Sequence, residues 1–230
     1  MTKKHQPREV ILSEDGSTTL YIPSLQEHYH SIHGAIQESV HIYLNNGLQY
    51  LYEKNHFKKI SIFEVGLGTG LNCWLTAEWA RGKNLSIDYQ AIEPYPIDVQ
   101  EVSQLNFTQD KSEDSQRTFN HIHTADWEKE VELEPYFILK KCNKKIVEWK
   151  PDRAFDLVYF DAFAPDVQPD LWTQPIFEKL YHSTVKTGIL LTYCAKGAVK
   201  RTLLHSGWQV ERLPGPPGKR EITRAFKLDE

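Results

Sequence analysis

The stretch Ile60-Ser-Ile-Phe-Glu-Val-Gly-Leu-Gly-Thr-Gly-Leu-Asn72 constrains this 230-residue chain more than any other. An apolar, alternating run leads to the acidic Glu64, glycines follow at 66, 68 and 70, and a helix-like segment extends from Leu71 to Ala80. Glycine at these positions permits φ > 0 and lets a ligand approach backbone that a side chain would screen. A strand, a tight turn and a helix N-terminus in this order form a ligand cradle at the carboxyl edge of a parallel sheet. Glycine turns that bind nothing also exist, so context has to decide. It comes from Ile87-Asp-Tyr-Gln-Ala-Ile-Glu93, a second strand ending in a carboxylate about 25 residues past Gly68, near the offset of a ribose-binding acid.

Spacing and charge narrow the ligand. A dinucleotide site usually reads G-x-G-x-x-G and receives a pyrophosphate on the helix N-terminus. Here the order is Glu64-x-Gly66-x-Gly68-x-Gly70, with a carboxylate just before the turn. Glu64 disfavours an anion, whereas a ligand carrying a sulfonium, an ammonium and a ribose diol suits the site; S-adenosylmethionine is such a ligand and NAD is not. Glu64 can equally be a carboxylate that accepts hydrogen bonds from nearby backbone N–H groups. No G-x-x-x-x-G-K-[ST] element occurs, which argues against a nucleoside triphosphatase.

The length fits one substantial α/β domain with an extension, divided as residues 1–58 (a β-hairpin and helical extension) and 59–230 (a Rossmann-like domain). Six Trp, 11 Tyr and 10 Phe supply core material. No run is long enough to span a membrane, and the polar opening Met-Thr-Lys-Lys-His-Gln lacks the apolar segment of a signal peptide, so a cytoplasmic protein is expected. Cys73, Cys142 and Cys194 are too few and too scattered for a disulfide framework or a zinc quartet. His28, His30, His33 and His41 complete no familiar ligand spacing, and no metal is expected. Net charge is −4, yet basic residues gather at Lys54, Lys58 and Lys59, at Lys140, Lys141, Lys144 and Lys145, at Lys196, Lys200 and Arg201, and at Lys219, Arg220 and Arg224. Only convergence of such clusters on the ligand edge would make a phosphate-binding face.

Periodicity and turn residues predict strands at 9–12 and 18–22 and a helix over 35–44 with Ile36, Val40 and Leu44 on one face. An alternating series follows: strand 60–65, helix 71–80, strand 86–92, helix 96–105, strand 119–123, strand 155–160, helix 174–183, strand 188–193, helix 196–205, and strands 208–212 and 221–227. Residues 109–116 read as a polar loop, and Asn143 as a hairpin turn within 136–149. The segment Pro214-Gly-Pro-Pro-Gly-Lys219 cannot hold a crossover helix, so the last strand is expected to run antiparallel. After the strand Phe155-Asp-Leu-Val-Tyr-Phe160 comes Asp161-Ala-Phe-Ala-Pro165, where an open α/β sheet places reacting groups. Asp161 can orient a cationic amine, accept a proton, or cap a helix.

Several blocks together carry a family resemblance. They are His33-Gly-Ala-Ile-Gln-Glu38 with His41, Phe63-Glu-Val-Gly-Leu-Gly-Thr-Gly-Leu-Asn72, and Asp161-Ala-Phe-Ala-Pro165 with Leu171-Trp-Thr173. Leu191-Thr-Tyr-Cys-Ala-Lys-Gly-Ala-Val-Lys-Arg201 and Gly215-Pro-Pro-Gly-Lys-Arg-Glu221 extend them over nearly the whole chain. The chain resembles the stand-alone form of the tRNA 5-methylaminomethyl-2-thiouridine methyltransferase family, whose methyltransferase domain is elsewhere fused to an FAD-dependent oxidase. Cys194 stands where that pattern has a small residue. A fused oxidase has no room here, so the resemblance implies methyl transfer without FAD.

The resemblance implies a class I S-adenosylmethionine-dependent methyltransferase fold, Rossmann-like, with a mostly parallel sheet, an antiparallel last strand and a small N-terminal extension. The implied reaction moves a methyl group from S-adenosylmethionine to the aminomethyl nitrogen of 5-aminomethyl-(2-thio)uridine at the tRNA wobble position, leaving S-adenosylhomocysteine. Gly66, Gly68 and Gly70, with Glu64 and Asn72, would then shape the cofactor pocket. Glu93 would take the ribose hydroxyls, Asp126 and Trp127 would frame the adenine, and Asp161 would be catalytic beside the acceptor amine. Tyr29, Phe163 and Tyr193 would wall or stack on the base, or simply pack in the core. Lys196, Lys219 and Arg220 would contact tRNA with Glu221 orienting one of them, unless they form a surface salt-bridge cluster. Rival readings are a small-molecule methyltransferase, a spermidine-synthase-like aminopropyltransferase, and a non-catalytic protein that binds tRNA or adenosine.

Overall fold

The computed structural model describes residues 7–55, 57–83 and 85–228; the polar opening 1–6 lies outside them. Its centre is an eight-stranded sheet. The strands are β4 (Lys59–Val65), β5 (Ser86–Ile92), β6 (Glu130–Glu134), β7 (Phe137–Cys142), β8 (Phe155–Phe160), β9 (Thr184–Thr192), β10 (Gln209–Pro214) and β11 (Glu221–Phe226), in the order β10-β11-β9-β8-β4-β5-β7-β6. The β4–β5, β4–β8, β5–β7 and β8–β9 pairs are parallel. β11 runs antiparallel to both β9 and β10, as the short proline-rich connection requires. The inner strands are apolar almost throughout because both faces are covered: Ile60, Ile62, Phe63, Ile87, Leu157, Val158 and Leu190 are all buried.

Register aligns the strand ends. Val65 pairs with Ile92 on one side and with Phe160 on the other. The residues that follow these three strands (the glycine turn, Glu93 and Asp161) therefore leave the sheet side by side. One carboxyl edge collects all three.

Preceding the sheet are a three-stranded antiparallel sheet, β1 (Glu9–Leu12), β2 (Thr18–Ile22) and β3 (Glu27–His28), and one long helical segment. That segment is α1 (Ala35–Ser39), a π-helical stretch (Val40–Gln49) and α2 (Tyr50–Asn55). The predicted α-helical face of Ile36, Val40 and Leu44 gives way to a buried set of Ile42, Tyr43, Leu44, Gly47 and Leu48, with Ile36 and Val40 only partly covered. The wider i→i+5 turns redirect side chains that a 3.6-residue period would place elsewhere. A Cβ at Gly47 would meet Leu191 and Tyr159 at 3.4 and 3.5 Å, so the segment lies close against the sheet.

Between β5 and β8 the local reading needs correction. Residues 119–123 are not a strand but part of α5 (Glu113–Thr124), whose buried Ser115, Thr118, Phe119 and Ile122 follow helical spacing. The expected polar loop 109–116 is in part the start of this helix, with Ser112 as N-cap accepting from the Ser115 N–H at 3.3 Å. The strand beside β5 is β7, which forms a hairpin with β6 that turns at residues 135–136. Asn143 instead stands just past β7, and its side chain donates to the Glu93 carbonyl at 2.8 Å. The helix expected at 96–105 shortens to α4 (Val99–Ser103), fixed at its start by the Asp98–Glu101 capping box. The remaining helices, α3 (Leu71–Ala80), α6 (Gln174–His182) and α7 (Gly197–His205), lie close to their predicted spans.

Candidate active site

The turn after β4 is tied to its neighbour: Gly66 and Leu67 both donate to the Ile92 carbonyl, at 3.0 and 3.3 Å. Gly66, at φ 91°, passes so near the β8 exit that a Cβ would stand 2.7 Å from the Asp161 carbonyl oxygen. Gly68, at φ 50°, faces the Tyr29 ring, where a Cβ would come within 3.0 Å. The Gly68 N–H donates to Glu93 Oε2 at 3.1 Å, and the Tyr95 N–H donates to Oε1 at 2.8 Å. Burial raises the Glu93 pKa, against which these N–H groups and the Arg8 guanidinium favour the charged form. A carboxylate has about four acceptor sites, so Glu93 keeps capacity for hydroxyl donors. Gly66, Gly68, Glu93 and Asp161 border one cavity of about 1190 Å³.

Asp161 enters this cavity from the end of β8, with its N–H donating to the Val65 carbonyl at 3.0 Å. The Tyr43 hydroxyl donates to Oδ1 at 2.7 Å and the Asn72 amide donates to Oδ2 at 2.8 Å. Burial pushes the Asp161 pKa up to about 7; the Glu38 charge adds to the rise, while Tyr43, Asn72 and Lys219 oppose it. Asn72 also donates to Glu64 Oε1 at 3.0 Å, so its amide bridges two carboxyl groups. Glu64 is fully buried, and burial with the Asp161 charge drives its pKa well above the carboxylate range. Its other oxygen and the Tyr89 hydroxyl interact without a well-formed hydrogen bond. Asn72 Oδ1 is buried with no hydrogen-bond partner among the described residues. Neither Glu64 nor Asn72, both expected at the cofactor, borders the cavity: both are buried beneath it, and Asn72 reaches it through its bond to Asp161.

The family model of the S-adenosyl-L-methionine-dependent methyltransferases matches residues 102–228. The chain belongs to this family. The methyltransferase is 28% identical over 211 residues to the tRNA 5-methylaminomethyl-2-thiouridine biosynthesis bifunctional protein MnmC of Idiomarina loihiensis, covering 84% of this chain and 34% of that protein. It thus spans about a third of the length of the curated relatives it matches. Among solved structures, MNMC2 from Aquifex aeolicus superposes with a TM-score of 0.81 at 24% identity, covering 97% of this chain and 71% of that one. Spermidine synthase from Thermotoga maritima gives 0.56 at 11% identity, covering 99% and 70%. Both likenesses show the class I fold, with its mostly parallel sheet and antiparallel strand.

Other side chains named from the sequence divide into two groups. Tyr29, Phe163, Tyr193 and Lys219 line the cavity of the methyltransferase with Asp161. Tyr29 meets Phe163 edge to face at 5.2 Å, and the Tyr193 hydroxyl donates to the Ala162 carbonyl at 2.9 Å. Lys219 Nζ lies 5.2 Å from the Tyr193 ring centroid and forms an ion pair with Glu38. The second group stands outside the cavity lining. Asp126 is exposed and paired with Lys129 at 2.8 Å, and the Trp127 ring packs under Lys141 Nζ at 4.7 Å. Lys196 pairs with Asp166, Arg220 is exposed, and Glu221 pairs with Arg212 at 3.0 Å. Glu221 therefore orients Arg212, and two cations of the predicted trio are held by other acids, Lys219 by Glu38 and Lys196 by Asp166.

The basic clusters are also largely committed. Lys141 is buried and donates to the His123 carbonyl at 3.0 Å, while Lys140 and Lys144 pair with Asp152 and Glu128. Lys145 is the member of that cluster that lines the cavity. Arg224 is buried, with its guanidinium 3.7 Å from the Tyr50 ring centroid and an ion pair to Glu211. His30 is held 2.6 Å from the Thr69 hydroxyl, and burial lowers its pKa to about 4; no metal-holding group of His, Cys, Asp or Glu occurs among the described residues. Among those residues no helix is long and apolar enough to cross a membrane. Sequence reasoning missed Tyr43, Glu38 and Arg8 as parts of the site. Glu38 lay in the quoted His33–Glu38 block, whereas nothing local marked Tyr43, a tyrosine in a helix.

Proposed function

We propose that the protein methylates the aminomethyl nitrogen of 5-aminomethyl-(2-thio)uridine at the wobble position of tRNA. The observation that carries this reading is Asp161: it shares a cavity with the glycine cradle and Glu93, and its pKa of about 7 suits a proton acceptor at neutral pH. The naming of the similar bifunctional protein for methylaminomethyl-thiouridine biosynthesis supplies the acceptor. When bound, S-adenosylmethionine supplies an electrophilic methyl group on a sulfonium. Gly66 and Gly68 leave room for it, whereas Gly70 lies outside the cavity lining, where a Cβ would meet His123 and Ile122; Glu93 accepts from the ribose hydroxyls. Asp161 holds the acceptor amine and takes up its proton at a carboxylate oxygen, so that the nitrogen presents a free lone pair. Tyr29, Phe163 and Tyr193 wall the base, exclude water and support stacking. Asp126 and Trp127 remain proposed for the adenine side.

The deciding assay incubates the protein with labelled S-adenosylmethionine and tRNA bearing aminomethyluridine, followed by mass spectrometry of the nucleosides. Label in 5-methylaminomethyl-(2-thio)uridine is expected. Label in a free polyamine or other small molecule without tRNA would point to the small-molecule or aminopropyl-transfer reading. Binding of tRNA with no transfer at all would point to a non-catalytic protein.

The tRNA footprint has its own test. Lys219 lines the cavity and Arg220 follows it on the same loop, so the double variant Lys219→Ala/Arg220→Ala should weaken tRNA binding and reduce its salt slope by about 2. Its affinity for S-adenosylmethionine should stay within about twofold. Superimposable tRNA curves for the two proteins across a salt series would remove both residues from the footprint. Lys196, paired with Asp166 outside the cavity, is expected to contribute less.

A further inference from the structure

We propose that Tyr43 is a positioning residue for Asp161, fixing both the direction of its carboxylate and the pH range in which it accepts a proton. This inference rests on the reading of Asp161 given above. Tyr43 is fully buried in the π-helical stretch, and its hydroxyl has two acceptors within reach: Asp161 Oδ1 at 2.7 Å and the Phe160 carbonyl at 3.5 Å. The short bond is to the carboxylate. With Asn72 on Oδ2, each carboxylate oxygen has one protein donor and keeps a lone pair for a substrate proton.

Geometry explains why this donor comes from so far away in sequence. Tyr43 reaches the end of β8 only because the helical segment takes wide turns and lies close to the sheet at Gly47. The Asn46 amide closes over the His41 carbonyl at 2.7 Å, and the Arg224 guanidinium donates to the Asn46 carbonyl at 3.1 Å. These bonds hold the irregular stretch from both sides. π-Helical turns are rare and recur at functional sites, and here the turn aims a hydroxyl at the reacting carboxylate.

A buried carboxyl without donors would stay protonated and could not serve as a base near neutrality. The groups that face Asp161 are Tyr43 from the helical segment, Glu38 at the end of α1, Glu64 on β4, Asn72 on α3, Tyr193 after β9 and Lys219 on the β10–β11 loop. Of these, Glu38 is the acid whose charge disfavours ionisation of Asp161; burial keeps Glu64 protonated. Tyr43 is the nearest donor opposing that charge.

The test is Tyr43→Phe, which removes one oxygen and leaves the ring. The pH–rate profile of single-turnover methylation should keep its shape while its acid limb moves up by about one pH unit. Carboxyl ¹³C titration, with the Asp161 signal assigned by its absence from Asp161→Asn, should move the same way. Affinity for S-adenosylhomocysteine should change less than about twofold at pH 8. Adding Tyr43→Phe to Asp161→Ala should cause no further loss. If Tyr43→Phe does not fold, Tyr43→Met removes the same donor and serves instead. An unmoved acid limb and titration, with Asp161→Ala still inactive, would overturn the role of Tyr43 and leave that of Asp161 standing. Near-native turnover in Asp161→Ala would overturn both.

Discussion

Asp161→Ala lowers single-turnover methylation by about 100-fold or more, while S-adenosylmethionine still binds. The expectation follows from placement: the carboxylate borders the cavity, whereas the cofactor cradle proposed above is mainly backbone at Gly66 and Gly68 together with Glu93. Asp161→Asn keeps the shape but cannot take up a proton, so the wild-type rise in rate through pH about 7 should flatten. Stability gives a second readout with a definite sign. Because the folded pKa of about 7 lies above the ordinary aspartate value of 3.8, the folded state holds a proton that the unfolded chain releases, and the wild type loses stability as pH rises between these values. Asp161→Asn should therefore melt higher than wild type at pH 8, with the gap closing toward pH 4. Near-native methylation in Asp161→Ala, or identical melting differences at both pH values, would contradict this account.

Gly68→Val abolishes measurable cofactor binding. The substitution places a β-branched residue at φ 50°, a left-handed conformation costing such residues on the order of 1–3 kcal/mol, and drives its Cβ within 3.0 Å of the Tyr29 ring. It also disturbs the N–H that holds Glu93. Gly82→Val is the matched control: φ is 72°, but a Cβ there meets nothing within 4 Å. Both variants should lose stability, and only Gly68→Val should lose S-adenosylmethionine in calorimetry. Equal affinity in a folded Gly68→Val protein would remove the turn from the cofactor site.

Within this fold, local chemistry determined a good deal from the sequence by itself. The glycine turn after β4, the acids that end β5 and follow β8, and the antiparallel return enforced by Pro214-Gly-Pro-Pro-Gly all depend on residues within a few positions of one another. Parallel register then converts those separate signals into one edge, so the sequence already implied that Gly68, Glu93 and Asp161 leave the sheet together. Phe119 and Ile122 were misread because a short apolar pair without its polar helical context looks like a strand; only packing against α3 shows which face is buried. Other features required the tertiary structure: the π-helical turns that carry Tyr43 to Asp161, the pairing of Lys219 with Glu38 rather than Glu221, the burial of Lys141, and the pairing of Lys140 and Lys144 with Asp152 and Glu128. A charge or hydroxyl acts on whatever lies within a few ångströms, and for these side chains that neighbour is far away in sequence, so no local pattern encodes it.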